Sequence, residues 1–112
     1  MFNVQKIRQD LDSEINVDGK VCKQYAHEIE EYVLELKKFP NEIFQIYLHL
    51  LDSPNFFQFH GIYHFFKQLY FDFEKLSPLQ KQQLKIKIIE CLQHPVENNL
   101  ELWLSEIIQN KY

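Results

Sequence analysis

At 112 residues the chain holds one domain, 1–112, with no room for separate catalytic and binding halves. Two glycines and four prolines are too few for a β-sandwich or barrel, which needs a turn signal every ~8–12 residues. Sixteen acidic and twelve basic residues leave a net charge of −4, which argues against nucleic acid as the direct partner; no apolar run approaches the ~18 residues of a membrane span.

Taken in chain order, the apolar residues recur at helical spacing. Val4, Ile7, Leu11 and Ile15 predict a first helix over 3–16, which Asp18-Gly19 breaks, with Asp18 able to cap the next. Val21, Tyr25, Ile29, Tyr32, Val33 and Leu36 predict a second helix to Lys38, stopped by Pro40. Its other face is charged, with Glu28, Glu30, Glu31 and Glu35, and Lys37 and Lys38 would suit the macrodipole of its last turn. The third helix, 41–52, is apolar on two sides (Ile43, Ile46, Tyr47 and Leu50; Phe44, Leu48 and Leu51), as in a helix sandwiched between others. Ser53-Pro54 reads as the start of a fourth, 54–73, and Ser77-Pro78 with Gln80 as a capping box for a fifth, which runs to Gln93 with Leu84, Ile88, Ile89 and Leu92 inward. After His94-Pro95 a sixth helix, 96–110, carries Leu100, Trp103, Leu104, Ile107 and Ile108. The expected fold class is all-α: about six helices in antiparallel hairpins, either a HEAT-like α-solenoid or an irregular bundle. An offset of 41 residues brings the solenoid level with the bundle, since it aligns Ser53-Pro54 with His94-Pro95, Ile43 with Leu84, Tyr47 with Ile88 and Ile62 with Trp103.

Little in the chain carries chemistry. Cys22 and Cys91 lack CxxC spacing and read as buried thiols of a reducing cytoplasm, which is also where a charged amino terminus unlike a signal peptide places the chain. His60 and His64 share a helical face as two potential metal ligands, but Gly-Ile-Tyr between them omits the glutamate of HExxH. Carboxylates on an open face keep near-normal pKa values and are poor acid–base catalysts. The expectation is therefore a protein that is not an enzyme, with no cofactor and no metal.

Surface features say more. Residues 1–52 hold ten acidic and six basic residues and residues 53–112 six of each, so the whole net charge lies in the first three helices and would steer a positively charged partner. On the fourth helix, Phe56, Phe59, Ile62, Tyr63, Phe66, Leu69, Tyr70 and Phe73 fill one broad face. Phe57 and Phe71 fall beside His60, His64 and Lys67 on another, and Phe65 on a third. Either neighbouring helices flank these sides or some rings are exposed for protein recognition. Lys81, Lys85 and Lys87 lack interleaved aromatics and read as solubility charges.

The hairpins about Asp52-Ser53-Pro54-Asn55 and His94-Pro95, the acidic 28–35 helix and the aromatic 56–73 helix give the chain its resemblance to the helical immunity proteins of bacterial contact-dependent growth inhibition and related polymorphic toxin systems. That resemblance is one of type across most of the chain, and it implies a one-to-one complex with a cognate toxin domain, a basic nuclease and above all a ribonuclease. Glu28, Glu31, Glu35 and Asp52 would then pair with basic residues of the toxin, while Phe57, His60, His64 and Phe71 supply aromatic contact area. The alternatives are a helical adaptor or structural subunit and, more remotely, a small metal-dependent enzyme using His60 and His64.

Overall fold

A computed structural model describes residues 3–11, 20–52, 61–96 and 98–112. Among them are six α-helices and no strand: α1 Val4–Leu11, α2 Lys20–Val33, α3 Asn41–Asp52, α4 Tyr63–Phe71, α5 Pro78–Leu92 and α6 Asn98–Lys111, with a single 3-10 turn at Phe73–Lys75. The chain is all-α. The odd helices pack in series, α1 on α3 on α5, and so do the even ones, α2 on α4 on α6; α1 also meets α2, and α5 meets α6. The result is a slab of 34 × 34 × 18 Å, two helix layers thick at ~8–10 Å between axes. Each successive hairpin adds one helix to each layer.

Burial explains the layering. In α2 the core positions are Cys22, Ala26, Ile29 and Val33; in α4 and the turn after it, Phe65, Phe66, Leu69 and Phe73; in α6, Leu100, Leu104 and Ile107. The 41-residue offset holds between α3 and α5, where Ile43 and Leu84, Tyr47 and Ile88, and Leu50 and Cys91 are all buried. It slips in the even layer: Trp103 is only half-buried, and the buried residues of α6 match at 38 instead (Ile62 with Leu100, Phe66 with Leu104, Leu69 with Ile107). α3 is closed in on two sides as expected, with Ile43, Phe44, Ile46, Tyr47, Leu50 and Leu51 buried. Tyr47 is its centre, meeting the rings of Phe39, Phe65 and Phe66 edge-on at 5.5, 5.5 and 5.8 Å.

Several expected boundaries move. α2 ends at Val33, not Lys38, so Lys37 and Lys38 lie beyond it. The Lys75 ammonium donates to the carbonyls of Val33 and Leu34 at 2.6 and 3.2 Å, and the turn delivers Phe39 into the core, where its N–H donates to the Lys75 carbonyl at 2.9 Å. These contacts outbid one more turn of helix. The helix expected over 54–73 is corrected in its described part: Gly61 has φ 85°, which a right-handed helix does not contain, and α4 runs only from Tyr63 to Phe71; residues 54–60 lie outside the described residues. In α5, Ile89 is exposed and Leu92 half-buried, where both were expected inward. α1 is described over Val4–Leu11; residues 12–16 of the expected first helix, and the Asp18 and Ser53 caps, lie outside the described residues. The Ser77–Gln80 capping box is present in both directions, at 3.1 and 2.9 Å.

Candidate functional site

α2 and α4 diverge enough on their outer side to leave a groove of about 500 Å³. The two helices run the same way along it. At one end Lys23 of α2 and Lys67 of α4 come close enough to His64 for their charges to act on it. The imidazole is held below the usual histidine range, first by partial burial and then by those two ammonium groups. At the other end Leu34 and Phe71 form an apolar rim, and they are about 70% exposed, high for such side chains. Glu30 and Asp72 supply the negative charge of the lining.

The floor is fixed by hydrogen bonds. Gln68 is buried, accepts from the Tyr47 hydroxyl, and donates to Asp72 at 2.7 Å. Asp72 also lies 3.6 Å from Lys75, whose bonds to the end of α2 tie both walls to one turn. No buried side-chain nitrogen or oxygen among the described residues lacks a partner. The groove is therefore built on a preformed base, and its walls need little reorganisation to accept a ligand.

Beyond Phe71 the apolar rim continues onto α6. Tyr70, Phe71 and Trp103 form a ring cluster with centroids 5.3–6.2 Å apart. Lys67 lies 5.9 Å over Trp103, and Lys111 lies 4.5 Å over Tyr70. Phe71 is the exposed ring of this cluster, while Tyr70 and Trp103 are half-buried with the lysines over their faces.

The residues singled out from sequence distribute unevenly about this site. His64 lines the groove and Phe71 forms its rim. Glu31 is exposed and accepts from His27 at 3.1 Å; Glu28 accepts from Gln24 at 3.3 Å; Glu35 is exposed in the turn after α2. None of these three carboxylates lines the groove; the α2 carboxylate that does is Glu30. Asp52 belongs to the odd layer, where its carboxylate lies 2.5 Å from the Lys87 ammonium. It is not gathered with the α2 acids. Lys87 is thus an interhelical partner, while Lys81 and Lys85 cover the rings of Phe73 and Tyr112 at 5.1 and 5.5 Å. Phe57 and His60 lie outside the described residues, as do Phe56 and Phe59.

No cluster of three or more metal-ligating side chains occurs among the described residues, and of the pair His60 and His64 only His64 is described. Cys22 and Cys91 are both buried free thiols. None of the described helices is long and apolar enough to cross a membrane. Leu34 was not singled out from sequence; Glu30 was named only within the acidic face of the second helix and Trp103 only in the apolar pattern of the sixth. A helix end at Val33 would have exposed Leu34 as a rim residue, but no local signal marks that end.

Fold and site together define an all-α protein of stacked helix hairpins with a lined groove in one layer. No family profile matches the chain, and neither a curated protein nor a solved structure is significantly similar to it.

Proposed function

We propose that this chain is a stoichiometric protein inhibitor, an immunity protein that binds and neutralises a cognate bacterial toxin domain of basic, nuclease type, with a ribonuclease as the favoured target. The observation that carries the reading is the exposed Leu34–Phe71 rim, continuous with Trp103 and bordered by the outward carboxylates of Glu31 and Glu35. Apolar rings of this kind supply the few contacts that dominate binding energy, and on the α2 side, away from Lys67 and Lys111, the exposed Glu31 and Glu35 near Leu34 attract a cationic surface. Among the described residues the buried polar side chains beneath this surface have partners within the protein, so none needs a ligand to satisfy it. The inhibitor contributes binding and no catalytic step.

Genes for such inhibitors follow the gene of the toxin they neutralise, so the test is co-expression with the carboxy-terminal domain encoded immediately upstream. The expected result is restored growth and a one-to-one complex on co-purification. Phe71→Ala is expected to weaken that complex at least ~10-fold, and Glu31→Lys with Glu35→Lys to slow association most at low salt. No complex and no rescue would overturn the proposal.

A further inference from the structure

α5 buries Gln80, Leu84, Ile88 and Cys91 against the rest of the protein. Its opposite face is unusual for a surface. Leu79, Ile86 and Ile89 are 63, 51 and 43% exposed, and all lie on one stripe. Leu79, Gln82, Ile86, Ile89 and Gln93 follow one another at alternating steps of three and four residues, which is the a/d seam of a coiled coil, and none of them is charged. The buried residues occupy the b, c and f positions of the same heptads, so the seam points directly away from the core.

The layering explains why this face is open. Leu48 of α3 stands at the place in its hairpin that Ile89 holds in α5, 41 residues on, and it packs against the core. α3 is followed in the odd layer by α5, whereas no described helix follows α5.

The charges flanking the seam select the occupant. Lys85 holds the g position, its ammonium 5.5 Å over the Tyr112 ring, and Glu90 the e position of the next heptad, 3.9 Å from Lys87; both are exposed and within reach of a second copy. When two copies of one helix pair in parallel, g of one faces the e five residues on in the other. Lys85 then meets Glu90 of a second copy, and by symmetry the pairing occurs twice. An antiparallel pairing sets g against g and e against e and loses both pairs. We propose that α5 is a homodimerisation surface that pairs in parallel with α5 of a second copy. The groove lies in the even layer, so the dimer leaves it accessible and the proposal stands apart from the inhibitor reading. α5 is 15 residues long, about 22 Å at 1.5 Å per residue, and its seam holds two glutamines. So short and partly polar a contact corresponds to a dissociation constant on the order of 10–100 µM.

Sedimentation equilibrium of the full chain from about 5 to about 500 µM brackets that constant. The expected result is a monomer–dimer equilibrium that Ile86→Lys abolishes while the circular dichroism spectrum and melting curve stay unchanged. Lys85→Glu weakens the dimer several-fold, and Lys85→Glu with Glu90→Lys restores it. A single 13.7 kDa species throughout, or a dimer that survives Ile86→Lys, overturns the proposal. A dimer that responds to Ile86→Lys but not to the charge exchange overturns the parallel pairing.

Discussion

The Tyr47 hydroxyl donates to the Gln68 side-chain oxygen across the α3–α4 contact, linking the two layers at the base of the groove. Both groups are buried, and Tyr47 is among the largest side chains with no exposed surface. The bond therefore satisfies two polar groups that water cannot reach, and it aims the Gln68 amide at Asp72. Core and groove share one side chain here.

Tyr47→Phe removes the donor and leaves the Gln68 oxygen buried without it, at a cost of about 1–2 kcal/mol. Urea unfolding should show a lower midpoint with an unchanged slope. Tyr47→Phe combined with Gln68→Met replaces both partners by apolar groups and should recover most of the loss.

Gln80 has two roles. Its side-chain oxygen accepts from the Ser77 N–H at 2.9 Å to complete the capping box, and its amide donates to the buried Phe39 carbonyl at 3.1 Å. Ser77→Ala removes one cap bond and should cost about 1 kcal/mol. Gln80→Ala also strands the Phe39 carbonyl and should cost about 2–3 kcal/mol by the same measurement. Near-equal values for the two variants would refute this double role.

Gly61 occupies φ 85°, a region that a Cβ penalises. Gly61→Ala should therefore cost about 1–2 kcal/mol and lower the melting temperature by several degrees.

Alkaline pH should destabilise the fold. Burial pushes the Cys91 thiol from 9.0 up to about 11, reinforced by Asp52 and Glu90 and opposed by Lys87. Tyr25 and Tyr112 are raised from 10.0 to about 12, each first by burial, with Asp10 adding to Tyr25. In each case the folded protein keeps a proton that the unfolded chain releases at lower pH. Stability from these groups is complete below their unfolded pKa values and is lost as pH rises through the folded ones. Denaturant midpoints should be level to about pH 9 and decline above it, and Cys91→Ala should flatten the first part of that decline.

Sequence and structure agree where the information is local. α3 is legible because Ile43, Ile46, Tyr47 and Leu50 repeat at helical spacing between Pro40 and Ser53; α5 is legible because Ser77, Pro78 and Gln80 are a start signal in themselves. The angular reading of the aromatic helix also separates exposed Phe71 from buried Phe66, but it left Phe65 open on a third side, and the structure buries it. The end of α2 is illegible. Leu36 continues the apolar pattern of that helix, and the contacts that stop it come from Lys75, far along the chain. The same holds for the site: a row of glutamates says which strip is acidic, but only the approach of α4 makes Glu30 the one that lines the groove.

Length, charge and apolar spacing by themselves determined a single all-α chain with its negative charge concentrated in the first half, because helical periodicity and charge are properties of neighbouring residues. The tertiary structure decided that α2 stops at Val33, that Asp52 is held by Lys87, and that Leu34, His64 and Phe71 share one groove. Those outcomes depend on which remote segments meet, and that is set by how whole hydrophobic faces bury one another, a condition no short stretch of sequence contains.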